Sequence, residues 1–134
     1  MKTFIFIILS VLWFQNKFEA ISIANISDSY SRKDTCKIIL SNNTEQLFYY
    51  YFSVEQYDSV LFWREVSGHI DGSTSKLTLL SELKGGETKI ELFVIKKVID
   101  DYHLFPGEYR LGLNYFEDPN KDGKVIYSAP FKVY

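Results

Sequence analysis

The chain has 134 residues, with 15 Lys and Arg against 17 Asp and Glu for a formal charge of −2. That length suits one domain with its own core, and the mild acidity excludes a nucleic-acid binder, which wants a basic stripe. Cys36 is the only cysteine, so an intramolecular disulfide is excluded as well and the core alone must supply the stability that bridges lend many small exported domains.

MKTFIFIILSVLWFQNKFEA opens on a basic Lys2, runs apolar from Thr3 to Phe14 and ends more polar on the small Ala20. This is the layout of a secretory signal peptide, and the run is short against the ~20 residues of a membrane-spanning helix. Phe18 stands where a small residue would suit cleavage better, and no cysteine ends the run as a lipid anchor would need. A buried first strand and an uncleaved anchor are the alternatives. The reading predicts a signal peptide over 1–20, one domain over 21–134, no stable membrane span after cleavage, and a secreted, periplasmic or cell-envelope location. Asn25-Ile26-Ser27 and Asn42-Asn43-Thr44 match the glycosylation sequon, which matters only in a eukaryotic secretory pathway.

Beyond the leader the signals are those of strands. A first one falls near Ile21–Ile26. Cys36, Ile38 and Leu40 alternate with Lys37 and Ile39 until Ser41-Asn42-Asn43-Thr44 closes the run as a turn. Leu47–Val54 (LFYYYFSV) is aromatic enough for a pleated sheet, and Tyr57-Asp58-Ser59 separates it from Val60–Val66 as a hairpin. SGHIDGSTS is loop material, Lys76–Leu80 a short strand and Leu83–Glu87 a turn. Lys89–Ile95 sets Ile90, Leu92 and Val94 on one side and Lys89 and Glu91 on the other. Tyr109–Tyr115 and Val125–Val133 complete about eight short strands, with no amphipathic helix. Such spacing predicts an all-β, antiparallel two-sheet sandwich.

The phrase Leu104-Phe105-Pro106-Gly107-Glu108-Tyr109 sharpens that prediction. Taken in order, SNNTEQ before the aromatic strand, ELKGGET before the alternating strand, FPGEYRL, and finally YSAPFKV resemble bacterial immunoglobulin-like domains. The likeness is strongest to the intracellular-proteinase-inhibitor-like group and covers roughly Thr35–Val133. It implies an immunoglobulin-like sandwich of about seven or eight strands without a disulfide. It also implies a structural corner at Leu104, Pro106, Gly107 and Tyr109, whose tyrosine bonds back to upstream backbone. Two departures stand out. Cys36 falls at the first core cysteine, yet Leu111 occupies the second position, and the run Phe48–Tyr51 replaces the usual core tryptophan while Trp63 comes later. Cys36 therefore reads as a small buried hydrophobe.

Catalytic and metal chemistry find little support. Asp118-x-Asn120-x-Asp122-Gly123 begins like an EF-hand loop, but position 12 is Ala129 where a bidentate glutamate is needed, and the flanks read as strands. A hairpin turn is the reading, with Gly123 at positive φ; a weak calcium site from Glu117, Asp118, Asn120 and Asp122 is the alternative. His69 and His103 lack the spacing of metal ligands, and no nucleophile elbow or phosphate loop is present. No enzyme, no catalytic residue, no metal and no cofactor are expected.

Binding remains. Alternation sends Phe48, Tyr50 and Phe52 to one face and Leu47, Tyr49 and Tyr51 to the other, and Trp63 on the hairpin partner can extend either. One set belongs in the core, whereas exposed tyrosines make an adhesive surface. Tyr49, Tyr51 and Trp63 are thus the candidate binding residues. The expected partner is a protein, with proteinase inhibition implied by the resemblance and GHIDGSTSK and EDPNKDGK as the longest loops. A carbohydrate stacked on Tyr49, Tyr51 and Trp63 is the alternative.

Overall fold

The computed structural model describes residues 19–60, 62–67, 80–97 and 106–134. The leader over 1–18, the strand expected at 76–79, the GHIDGSTSK loop, His69, His103 and Leu104 lie outside these. Among the described residues ten strands follow in chain order: β1 Ile21–Ala24, β2 Ser29–Tyr30, β3 Thr35–Asn42, β4 Phe48–Asp58, β5 Phe62–Ser67, β6 Ser81–Leu83, β7 Thr88–Val94, β8 Gly107–Phe116, β9 Lys124–Tyr127 and β10 Phe131–Val133. They form a three-stranded sheet ordered β1-β3-β7 and a larger one ordered β2-β10-β8-β4-β5, with β6 added on β4 and β9 on β8. Every pairing is antiparallel except β2 with β10. This is the all-β, immunoglobulin-like sandwich expected, and its one described cysteine is free.

The core forms where the period-2 patterns of the two sheets meet. Cys36, Ile38 and Leu40 of β3 face Phe48, Tyr50, Phe52 and Val54 of β4 and Leu111 and Leu113 of β8, all buried. Aromatic rings fill the place of the missing tryptophan: Phe52 meets Phe93 edge-on at 5.0 Å between centroids, and Tyr30 meets Phe131 at 5.4 Å. Tyr109 is 2 % exposed and stacks on Phe131 at 6.3 Å. Cys36 is buried as expected, and its thiol donates to the Tyr30 hydroxyl at 3.2 Å. Burial pushes both its pKa and that of Tyr30 upward.

Several boundaries differ from the expected ones, each for a local reason. The aromatic strand runs on to Asp58, whose Oδ1 accepts the Val60 N–H at 2.7 Å and so places the hairpin turn later. A short strand not expected from the sequence, β6 at Ser81–Leu83, takes Leu83 out of the expected turn and pairs it with Phe48. The run Val125–Val133 divides into β9 and β10 at Ser128-Ala129-Pro130. Pro130 has no N–H to give to a ladder, and the buried Ser128 bridges the break. Its Oγ accepts the Leu111 N–H at 2.9 Å while its own N–H donates to the Leu111 carbonyl at 2.9 Å.

Asn42, 2 % exposed, ties two turns together. Its Nδ2 donates to the carbonyls of Gln46, Leu83 and Lys84 at 2.7, 3.1 and 3.0 Å. Its Oδ1 accepts the Thr44 N–H at 3.0 Å and the Thr44 hydroxyl at 2.7 Å. The 42–44 sequon is closed by this packing in the folded chain.

The polarity of β7 is the largest surprise. Its apolar row faces water, with Ile90, Leu92 and Val94 exposed by 54, 63 and 48 %, while Lys89 and Glu91 are half-buried on the inner side with Phe93. Glu91 accepts the hydroxyl of the buried Tyr50, and Lys89 Nζ donates to the Glu82 carbonyl at 2.8 Å. Burial first, and then the Glu91 carboxylate, push the Tyr50 pKa upward.

Candidate functional site

The register of β4 with β8 decides what the outer face of the larger sheet displays. Tyr49 pairs with Phe116, Tyr51 with Asn114, Ser53 with Gly112 and Glu55 with Arg110, so these side chains point away from the core together. Tyr57 and Trp63 pair on the β5 side, and Tyr127 pairs with Gly112 on the β9 side. The three residues expected from the sequence, Tyr49, Tyr51 and Trp63, share this face and are half-buried. They are not one platform, because Tyr51 and Tyr57, the partner of Trp63, lie six residues apart on β4, ~20 Å along the strand.

Two aromatic clusters result. Tyr51 stacks on Phe116 at 6.0 Å and 23°, and burial followed by the Glu65 charge pushes its pKa upward. At the other end Trp63 meets Tyr57 edge-on at 5.4 Å. There the Arg110 guanidinium lies 4.5 Å from the Trp63 ring centroid and 3.6 Å from that of Tyr127. Its Nη2 and Nε donate to Glu55 Oε1 at 2.8 and 3.3 Å. Arg110 is therefore held by a partly buried ion pair and by two rings that favour a planar cation. Glu55 sits opposite Glu65 of β5, so Arg110 also offsets a like-charge rung.

Gly112 makes room for this arrangement. A Cβ there would stand 2.7 Å from Ser53 Oγ and 3.6 Å from both the Tyr127 ring and Val125, where real side chains do not fit without a shift. Ser53 Oγ accepts the Asn114 amide at 3.2 Å in the middle of the face. Arg110, Tyr127, Tyr57 and Glu55 escaped the sequence reading. Arg110 alternates with the buried Leu111 and Leu113, but only the register of β8 and β5 with β4 brings it to Trp63.

The 116–124 hairpin holds the expected turn. Asp118 Oδ1 accepts the Asn120 N–H at 2.9 Å and its carbonyl accepts the Lys121 N–H at 3.0 Å. Gly123 does not take the positive φ expected of it; glycine is needed because a Cβ would collide with the Phe116 ring and stand 2.7 Å from the Tyr115 carbonyl oxygen. Beside this hairpin lies an open cleft of about 480 Å³. It mixes Glu117, Asp118 and Asp122 with Lys121 and Lys124, and among the described residues no group of three or more metal-ligating side chains gathers. No helix of the described residues is long and apolar enough to cross a membrane.

Comparison with known proteins supports the fold alone. No family model matches the chain, and no curated protein matches it. Among solved structures it is similar to a chain of the chaperone–tip adhesion subunit pre-assembly complex from archaic chaperone–usher Csu pili of Acinetobacter baumannii. The TM-score is 0.53 at 12 % identity, and the match covers 87 % of this chain and 57 % of that one. This chain thus spans little more than half the length of that relative.

Proposed function

We propose that this chain is a non-catalytic, exported binding domain whose partner is a protein seated on the Tyr57, Trp63, Arg110 and Tyr127 end of the larger sheet. One observation carries the reading: Arg110 is fixed between two aromatic rings and ion-paired to Glu55 on a face that none of the described strands covers. Trp, Tyr and Arg dominate the binding energy of protein interfaces, and an arginine already immobilised loses little entropy when it docks. The immunoglobulin-like likeness to a chaperone–adhesion subunit complex agrees with a domain that works through a partner. Export rests on the apolar leader and implies a secreted, periplasmic or cell-envelope location. Inhibition of a proteinase is the narrower form of this function, with the exposed Glu117–Lys124 turn as the projecting loop.

A carbohydrate-binding module is the second reading, favoured by the parallel stacking of Tyr51 on Phe116. Against it, the Trp63 ring already carries Arg110, so a sugar would have to displace a cation.

The test is affinity capture from the exporting host's envelope and secreted extract, with the wild-type chain, Arg110→Ala, Trp63→Ala and Tyr51→Ala as baits of matched melting temperature. A protein retained stoichiometrically by the wild type and by Tyr51→Ala, and weakened about tenfold or more by the other two, is expected. Polysaccharide eluted by free sugar and lost in Tyr51→Ala would overturn the reading in favour of the module.

A further inference from the structure

We propose that the tip of the β4–β5 hairpin, Val60 and Phe62, is the apolar anchor of the interface and seats in an apolar pocket of the partner protein. The inference rests on the proposed function and deepens it by naming what the partner brings. Phe62 has a φ of 58°, in the left-handed region. For a residue with a bulky side chain that conformation is strained, and hairpin turns fill such positions with glycine or asparagine. Packing does not account for the ring either, because Phe62 is 66 % exposed and Val60 79 %. Neither the turn nor the core needs a phenylalanine here. A strained residue with its ring in water points to a contact outside the chain.

The hairpin holds this tip ready. Asp58 is the register partner of Phe62, and its Oδ1 accepts the Val60 N–H at 2.7 Å, so a side chain at the base sets the turn. One rung below, Tyr57 pairs with Trp63, their rings edge-on at 5.4 Å. Trp63 in turn carries the Arg110 guanidinium. The exposed tip thus continues the surface assigned to the partner, and Tyr57, itself 42 % exposed, joins the two. That continuity favours a protein over other occupants. An exposed ring leading into Trp, Tyr and Arg matches the anchor and surround of a protein interface, where a few such side chains carry most of the binding energy. A bilayer would have to take in Asp58 beside the apolar tip, and a carboxylate is costly in hydrocarbon. A ring on a backbone already fixed also loses little freedom on docking.

Relief of strain and loss of the ring act in opposite directions, and the test uses both. Phe62→Gly and Phe62→Asn are each expected to raise the melting temperature of the full chain by about 4 °C. The same variants should weaken, by about tenfold or more, retention of the protein that the wild-type bait captures, whereas Phe62→Tyr should keep it. Benzoylphenylalanine at position 62 should crosslink to apolar residues of that protein. Unchanged or lower melting temperatures in both variants would overturn the strain on which the proposal stands. A protein lost by Arg110→Ala but fully retained by Phe62→Gly and Phe62→Asn would overturn the anchor and leave the proposed function standing. No protein retained by any bait would overturn both. Wild-type binding to phosphatidylethanolamine–phosphatidylglycerol vesicles that Phe62→Gly abolishes, or a wild-type dimer that it makes monomeric, would overturn the protein pocket as occupant.

Discussion

Asn42 shows how one residue can hold two distant turns. Its side-chain amide joins Gln46, four residues on, to Leu83 and Lys84, about forty residues on, while its carbonyl oxygen and that of Thr44 accept the Gly86 N–H at 3.1 and 2.9 Å. Asn42→Ala strands buried acceptors at three carbonyls, so a loss of about 2–4 kcal/mol is expected in the denaturant midpoint; a change below about 0.5 kcal/mol would remove Asn42 from this role. The sequence marked Asn42 as turn and sequon material but not as a buried tie, because its partners at Leu83 and Lys84 come from another part of the chain. Alternation and composition act locally, so they set Tyr49 and Tyr51 on one face of β4 but left open which face the core takes and which one Trp63 extends. Arg110 was not legible as part of the site, because its place beside Trp63 depends on how β8 and β5 both pair with β4.

At the scale of elements, period-2 patterning located most strands and identified the buried face of β3, while leaving open which face of β4 is buried. It could not orient β7. Alternation there defines two faces, and the inner one carries Phe93 against Phe52 and Glu91 as the acceptor of the buried Tyr50 hydroxyl. Leaving that hydroxyl unpaired costs on the order of 1–3 kcal/mol, comparable to the gain from burying one aliphatic side chain. Core groups from both sheets also set a pH limit. Burial raises the pKa of Tyr30, Cys36, Tyr50 and Tyr109, so the unfolded chain loses these protons first as pH rises. Their stabilising contribution is complete below the unfolded values, about 8.5 for the thiol and about 10 for the phenols, and is lost as pH climbs through the raised ones. The unfolding midpoint should hold steady from neutral pH to about 8, then fall above about 9. Cys36→Ala should shift the onset toward about 10, the phenol range. A midpoint unchanged to about pH 11 would contradict this burial account.

Considered whole, the sandwich carries two unlike outer faces. The smaller sheet offers an apolar row on β7, and the larger sheet offers aromatic rings and a fixed arginine. The central claim is that the Arg110 end of the larger sheet meets a protein. Its most direct measurement is photocrosslinking in the exporting host, with benzoylphenylalanine replacing Tyr127, which is 44 % exposed, or Lys37, exposed on the outer face of the other sheet. The account predicts a discrete host-protein adduct from position 127 and none from position 37. No protein adduct at 127, or the same adduct from position 37 alone, would contradict it.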